Sequence, residues 1–274
     1  MRLNNIMKLE YIIDENTTIK EFIYKNISRN FYGYLKEHNV IYNVDGNLKK
    51  AYEEVIKGAK LVITYDDDKK QEGIPNISPI SIIYEDDYYI IVDKPTHLQS
   101  IPSTFNPFDS VFNRLLHYFK DTNNTIHLLN RLDKETKGLV LIAKNNYAAA
   151  LLKKFDKKYY ATTHQKLPED SGVIDLPIGR SGFSTRRRID PNGQRAITCY
   201  KLVDDSDLFT YEIELKTGRT HQIRVHFAHL GSPLINDSIY IGQPYGDLTL
   251  GLICKEISFI HPITKELLHF YSKQ

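Results

Sequence analysis

The apolar run LVLIA, Leu139–Ala143, constrains the fold more than any other stretch of this chain. It is too short to cross a bilayer and too apolar to lie at a surface, so it reads as a strand covered on both faces. SIIYE at Ser81–Glu85 and YYIIV at Tyr88–Val92 read as two further strands. YEIEL at Tyr211–Leu215 alternates strictly, as a strand with one covered face does. Helical spacing appears between these strands. Val111, Phe112, Leu115, Leu116 and Phe119 recur on one helical face behind Ser110, a cap candidate, which predicts a helix running to Lys120; Ala148–Phe155 is a second helix candidate. Strands interleaved with helices give an α/β (α+β) class rather than a bundle, while the residues alone leave parallel and antiparallel pairing open.

A smaller mixed module precedes this region. It has helix-like stretches at Ile19–Ile27 and Phe31–Lys36 and alternating segments that end at LVITY, Leu61–Tyr65. The charged DDDKKQEG, Asp66–Gly73, followed by PNISP, reads as an exposed connector. The expected domains are therefore residues 1–70 and 78–274. The stretch MRLNNIMKLEYIIDENTT lacks an apolar core followed by a small-residue cleavage site, and no apolar run reaches spanning length. The expectation is a cytoplasmic protein with no membrane partner.

Composition narrows the chemistry. Cys199 and Cys254 are the only cysteines among 274 residues. That excludes a disulfide scaffold, a four-cysteine zinc site and a cysteine-ligated iron–sulfur cluster built within one chain. No G-x-G-x-x-G follows a strand and no G-x-x-x-x-G-K-[ST] occurs, so dinucleotide and P-loop readings lose their usual support. A net charge of +2 neither demands nor forbids nucleic acid, because the acidic run Asp66–Asp68 offsets basic clusters elsewhere.

Three segments can carry function. In NRLDKETKGLVLIAK, Asn130–Lys144, Asp133 stands between Arg131 and Lys134 just ahead of the buried-strand pattern. A carboxylate held in a turn near positive charge stays ionised and can serve as nucleophile, base or ligand, although an ordinary turn aspartate has the same letters. In LKTGRTHQIRVHFAHLGSP, Leu215–Pro233, Arg219 and Arg224 suit phosphate or carboxylate recognition through their rigid bidentate forks. If His221–Phe227 were a strand, Ile223, Val225 and Phe227 would share one face and Gln222, Arg224 and His226 the other; a helix would divide them differently. His221, His226 and His229 lack the H-E-x-x-H spacing and a carboxylate among them, so satisfied or surface histidines outweigh a zinc site. The third feature is basic: Lys153, Lys154, Lys157 and Lys158 lead into Tyr159 and Tyr160, and STRRR, Ser184–Arg188, is followed by Arg195. Cations interleaved with aromatics can neutralise phosphates and stack bases, or simply face solvent.

Over approximately Ile83–Phe270 the chain resembles the ribosomal large-subunit (Rlu) type of RNA pseudouridine synthase. The resemblance rests on DKP at Asp93–Pro95, Arg131-Leu132-Asp133 followed by Thr136-Lys137-Gly138, and Tyr-x-Ala at Tyr159–Ala161. GQRAIT at Gly193–Thr198, GRTHQIRVHFAHLGSPLIND at Gly218–Asp237 and ISFIHPIT at Ile257–Thr264 follow in the family order. It implies a mixed, largely antiparallel sheet with flanking helices, and an isomerase that needs neither metal nor organic cofactor. Asp133 is implied as the catalytic aspartate, Arg224 as the arginine paired with it, and Tyr159 as the aromatic packed against the target base. Arg131, Arg219, Arg186, Arg187 and Arg188 are implied as RNA-binding or near-site residues. The implied partner is RNA, ribosomal by default and transfer RNA as the alternative, with no obligate protein partner. Ser28–Ile63 is similar to a diverged S4-like RNA-binding domain. Departures from the family pattern stand at Asn130, Lys137, His97, Ile253 and Cys254, and none removes Asp133, Tyr159 or Arg224. Those departures keep a catalytically inactive RNA-binding protein as the rival reading.

Overall fold

The computed structural model describes residues 6–67, 71–182 and 186–274. Asp68 of the expected connector and Ser184 and Thr185 of the basic run lie outside the described residues.

The N-terminal module contains β1 (Ile6–Ile12), β2 (Thr17–Thr18), α1 (Ile19–Asn26), α2 (Arg29–Lys36), β3 (Ile41–Val44), β4 (Asn47–Lys49), β5 (Glu54–Val55) and β6 (Lys60–Asp66). Thr18 caps α1 in a capping box with Glu21, and Ser28 caps α2 by accepting from the Phe31 amide. Both helices lay an apolar stripe on an antiparallel sheet of order β1-β6-β3-β4. Leu61, Ile63 and Tyr65 alternate inward along β6 and meet Ile19, Ile23, Phe31 and Leu35 in one core. Tyr147 of the larger domain enters that same core, and its hydroxyl accepts a 2.7 Å hydrogen bond from Tyr11.

The larger domain contains β7 (Ser81–Glu85), β8 (Tyr89–Lys94), α3 (Val111–Tyr118), β9 (His127–Leu128), β10 (Lys137–Ala143), α4 (Asn146–Leu151), β11 (Asp156–Thr163), β12 (Ser171–Asp175), β13 (Ile178–Arg180), β14 (Arg187–Ile189), β15 (Ile197–Asp204), β16 (Phe209–Leu215), α5 (Gln222–His229), β17 (Leu252–Ile260) and β18 (Leu267–Tyr271). Its main sheet runs β12-β15-β16-β11-β17-β10-β8-β7, with β18 added on β17 and β9 on β10. Among the described residues its strands pair antiparallel except β10 with β17, so the sheet is mixed and largely antiparallel as expected. LVLIA forms the last five residues of β10 and is buried throughout, as is all of β8 beside it.

One local expectation is corrected. The helix candidate Ala148–Phe155 is α4, which starts at Asn146 under an Asn145 cap and ends at Leu151. Beyond it the alternation of Lys157, Tyr159, Ala161 and Thr163 takes over as β11. Of the two divisions left open for His221–Phe227 the helical one holds, because Gln222–His229 is helical. Ile223 and Phe227 of that helix face the main core, while Val225 packs with Ile178, Ala196 and Tyr240 in a separate small core. Covered on both sides, the helix shows no clear polar face.

Candidate active site

Asp133 sits in the turn before β10, and that turn is held from several directions. Asn130 is buried; its amide donates to Leu139 O at 3.1 Å and its oxygen accepts from Leu141 N at 2.8 Å, fastening the turn's start to the strand. Ser100 Oγ donates to Leu132 O at 2.8 Å and accepts from Leu132 N at 2.9 Å. Lys94, fully buried at the end of β8, donates to Leu98 O at 2.7 Å, Pro95 O at 3.0 Å and Lys134 O at 3.2 Å. Burial pushes the Lys94 ammonium down to about 7 against the opposing pull of Asp133 and Glu135. Gly138 closes the turn at φ 109, where a Cβ would meet Cys254 O at 2.2 Å, so the turn and β17 approach as only glycine permits.

This clamped turn forms one wall of a cavity of about 470 Å³. Tyr159 of β11, Leu252 of β17 and the segment Gly218–Arg224 supply other walls. Arg131, Lys134, Lys157, Arg219, His221 and Arg224 line it, and Asp133 is the one carboxylate among the described residues that do so. A chain of net charge +2 therefore presents a strongly cationic cleft around a single anion.

Arg224 and Asp133 are brought together, with Nη1 at 3.9 Å from Oδ2. The tighter partner of Arg224, missed in the sequence, is Asp237: Nε and Nη2 donate to its two oxygens at 2.7 and 2.6 Å, and both side chains are buried. This is the bidentate geometry that fixes a guanidinium plane. The expected arginine–aspartate pair is thus looser than a hydrogen bond, with Asp237 aiming the guanidinium from behind. His221 Nε2 lies 3.8 Å from the same Asp133 oxygen.

Tyr159 stands opposite Cys254 across β11 and β17, beside a register shift between Lys158 and Tyr159. Burial, then the neighbouring Cys254 sulfur and the Asp133 carboxylate, hold its hydroxyl well above the usual phenol range, so it remains a proton donor. Burial also pushes the Cys254 thiol up to about 12, in keeping with a small buried hydrophobe. Lys157 shares the cavity with Tyr159, and burial lowers its ammonium below the ordinary lysine value. Its signal in the sequence is parity: residues i and i+2 of one strand face the same way.

Arg131 and Arg219 are exposed at the cavity, Arg219 anchored by donation from Nε to Arg195 O at 3.0 Å. Arg186, Arg187 and Arg188 lie outside the cavity lining, around β14. Arg186 and Arg224 both approach the Tyr240 ring, at 5.5 and 5.4 Å from its centre. Arg188 pairs with Asp190 at 3.2 Å. Of the histidines weighed for zinc, His226 is buried in the fold, with ring nitrogens on Thr198 Oγ1 at 2.9 Å and Leu176 O at 3.0 Å.

A family model described as RNA pseudouridylate synthase matches residues 88–229. The chain is 34% identical over 227 residues to the uncharacterized RNA pseudouridine synthase YjbO of Bacillus subtilis, covering 79% of this chain and 80% of that one. It is also 34% identical over 205 residues to ribosomal large subunit pseudouridine synthase D of Escherichia coli K12, covering 71% of this chain and 63% of the relative. The fold is shared with human RNA pseudouridylate synthase domain containing 1, with a TM-score of 0.58 at 20% identity over 75% of this chain and 86% of that one. By a family match across more than half of its length, around a cationic cleft closed on one aspartate, this chain belongs to the RNA pseudouridine synthases and is an RNA-directed isomerase.

Proposed function

We propose that this protein converts uridine to pseudouridine in large-subunit ribosomal RNA, with Asp133 as the nucleophile. The observation that carries the assignment is the single carboxylate of a cation-lined cavity, 3.9 Å from an arginine that a second aspartate holds in place. The reaction breaks the C1′–N1 bond of uridine and joins C1′ to C5. Asp133 attacks C1′ as an anion and displaces N1 while the detached uracil stays trapped; C5 then displaces Asp133 from C1′ and loses its proton to solvent, and N1 gains one, so no oxidant, reductant or hydrolytic water is consumed. Arg224 compensates the charge of Asp133. Tyr159 offers the base a flat face and a protonated hydroxyl in place of the stacking it leaves when it is drawn out of the RNA. Arg131 and Arg219 meet flanking phosphates at the rim, and Arg186, Arg187 and Arg188 extend that contact. The ribosomal target is supported by the relative named ribosomal large subunit pseudouridine synthase D.

The N-terminal module, residues 1–70, serves in this reading as an S4-like unit that positions RNA for the catalytic domain, residues 78–274. Its support is a surface on α1 and α2 where Lys20 and Arg29 lie 5.6 and 5.5 Å from the Tyr24 ring and Lys36 lies 5.4 Å from Tyr32. Cys199 and Cys254 are both free thiols, which fits a cytoplasmic setting.

The test is tritium release from RNA carrying 5-tritiated uridine, because forming the C1′–C5 bond displaces that hydrogen. Wild-type protein is expected to release tritium from unmodified large-subunit ribosomal RNA, and Asp133→Asn to release none while still binding. Normal turnover by Asp133→Asn would overturn the nucleophile assignment. Release from pooled transfer RNA alone would move the target, and binding without release from either pool would favour an inactive RNA-binding protein.

A further inference from the structure

Asp133 has a second basic neighbour whose geometry is as deliberate as that of Arg224. His221 stands at the N-terminus of α5 in the left-handed region, φ 58 and ψ 20, and its side chain makes no cap to the helix. The ring instead spans two groups. Nδ1 lies 3.0 Å from the Tyr240 hydroxyl, and Nε2 lies 3.8 Å from Asp133 Oδ2. The Tyr240 oxygen already accepts a hydrogen bond from the backbone N–H of Arg187 at 2.9 Å. Its own proton can then be donated to His221 Nδ1. A neutral imidazole that accepts at Nδ1 carries its hydrogen on Nε2, the nitrogen facing the carboxylate.

We infer that Tyr240 and His221 form a positioning relay, in which the Tyr240 hydroxyl fixes the His221 tautomer and the Nε2–H of His221 aims the Asp133 carboxylate. The inference rests on Asp133 being the nucleophile. In the free protein the His221–Asp133 separation is longer than a hydrogen bond, and it contracts when substrate closes the site, as such contacts commonly do. The relay begins at the backbone of Arg187 in β14, one of the arginines assigned to RNA, and ends at the reacting carboxylate. Seating RNA on that hairpin thus bears directly on the aim of Asp133. The Tyr240 ring also packs with Val225 of α5 and lies 5.4 Å from the Arg224 guanidinium, so one side chain steadies both neighbours of the nucleophile.

The groups facing His221 set the sign of a pH test. Burial, Arg224 and Arg187 favour the neutral ring, while Asp133 and Asp237 favour the charged one; burial is the largest influence, and the ring titrates below its ordinary value of 6.5. The Tyr240 O–H donating to Nδ1 adds to the neutral preference. Falling pH therefore protonates His221, displaces the Tyr240 proton from Nδ1 and adds a second cation that quenches the anionic nucleophile.

Single-turnover tritium release with enzyme in excess over 5-tritiated ribosomal RNA, followed from pH 5 to pH 8, reads this out. Tyr240→Phe removes only a hydroxyl. It is expected to keep RNA affinity, to lower the maximal rate by up to about 100-fold, and to move the acid limb to higher pH. His221→Asn keeps a residue tolerant of the left-handed backbone and is expected to lose that limb while the rate falls by a similar factor. If both variants keep the wild-type rate and limb while Asp133→Asn is inactive, the relay is overturned and the nucleophile assignment stands. A lowered melting temperature with an unchanged profile would make Tyr240 a packing residue only and overturn it equally. An active Asp133→Asn would instead remove the foundation of both.

Discussion

Arg224, the proposed partner of Asp133, is held in place by Asp237. Its guanidinium is buried, and the two charge-assisted bonds it donates to Asp237 satisfy it without engaging the Nη1 that points toward Asp133. Replacing Asp237 with asparagine keeps the shape but leaves a buried cation without its anion, which costs about 3–5 kcal/mol of stability. Thermal unfolding of Asp237→Asn is therefore expected to occur well below wild type, and tritium release by the folded fraction to be slower because Nη1 loses its aim. A melting temperature within a degree or two of wild type would contradict the pairing. Asp133, Tyr159 and Arg224, the residues proposed for the reaction, stand out in the sequence because they sit inside ordered motifs. Asp237 is not, since its letter closes the GRTHQIRVHFAHLGSPLIND run with nothing local to mark a pair formed across the turn after α5. His221 offers itself in the sequence only as a zinc candidate, because tautomer and distance to Asp133 exist only once the chain has folded.

At the level of elements, the strands with continuous or strictly alternating apolar runs are plain in the sequence, β11 to β15 are not, and the helices are unevenly so. β8 and β10 announce themselves as continuous apolar runs, and the alternation of β16 survives intact. Helix α5 is ambiguous because both of its sides are covered, so the polar stripe that reveals a surface helix is missing. The α4 candidate runs too long because lysines and an aromatic beyond Leu151 suit a helix end as well as a strand start. The joint between β10 and β17 carries the sharpest demand. Gly138 pairs with Cys254 where these two strands run parallel, at a positive φ and with no room for a methyl group. Gly138→Ala should cost about 2–5 kcal/mol, combining backbone strain with overpacking against backbone atoms that cannot swing aside. Urea unfolding is expected to show a lower midpoint with an unchanged slope. Tritium release should fall as well, since the shifted strand carries the Asp133 turn. A midpoint equal to wild type would mean that the approach of the two strands is looser than described.

The whole molecule joins two cores, and sequence pattern does not show how they dock. The hydrophobic cluster of the N-terminal module includes Tyr147 from the larger domain, and the Tyr11–Tyr147 hydrogen bond closes the same contact, so the module is seated on α4 beside the catalytic sheet. Net charge is a poor guide at this scale, because a chain of net charge +2 still gathers five lysine and arginine side chains around one carboxylate in its cleft. If Lys20, Arg29 and Lys36 touch phosphates, each neutralises a charge and releases counterions, and the salt dependence of binding counts them. The slope of log affinity against log salt changes by roughly 0.7–0.9 for each phosphate that is no longer neutralised. Replacing all three with glutamine should therefore flatten the slope for ribosomal RNA by about 2–3 and weaken binding most at low salt. Tyr24 and Tyr32, whose rings meet edge to face at 5.3 Å, remain in place in that variant. Replacing them with leucine separates stacking from charge: it should lower affinity at every salt concentration while leaving the slope alone. An unchanged slope in the glutamine variant would show that RNA meets the catalytic domain only, and that the module's fold outlived its binding surface.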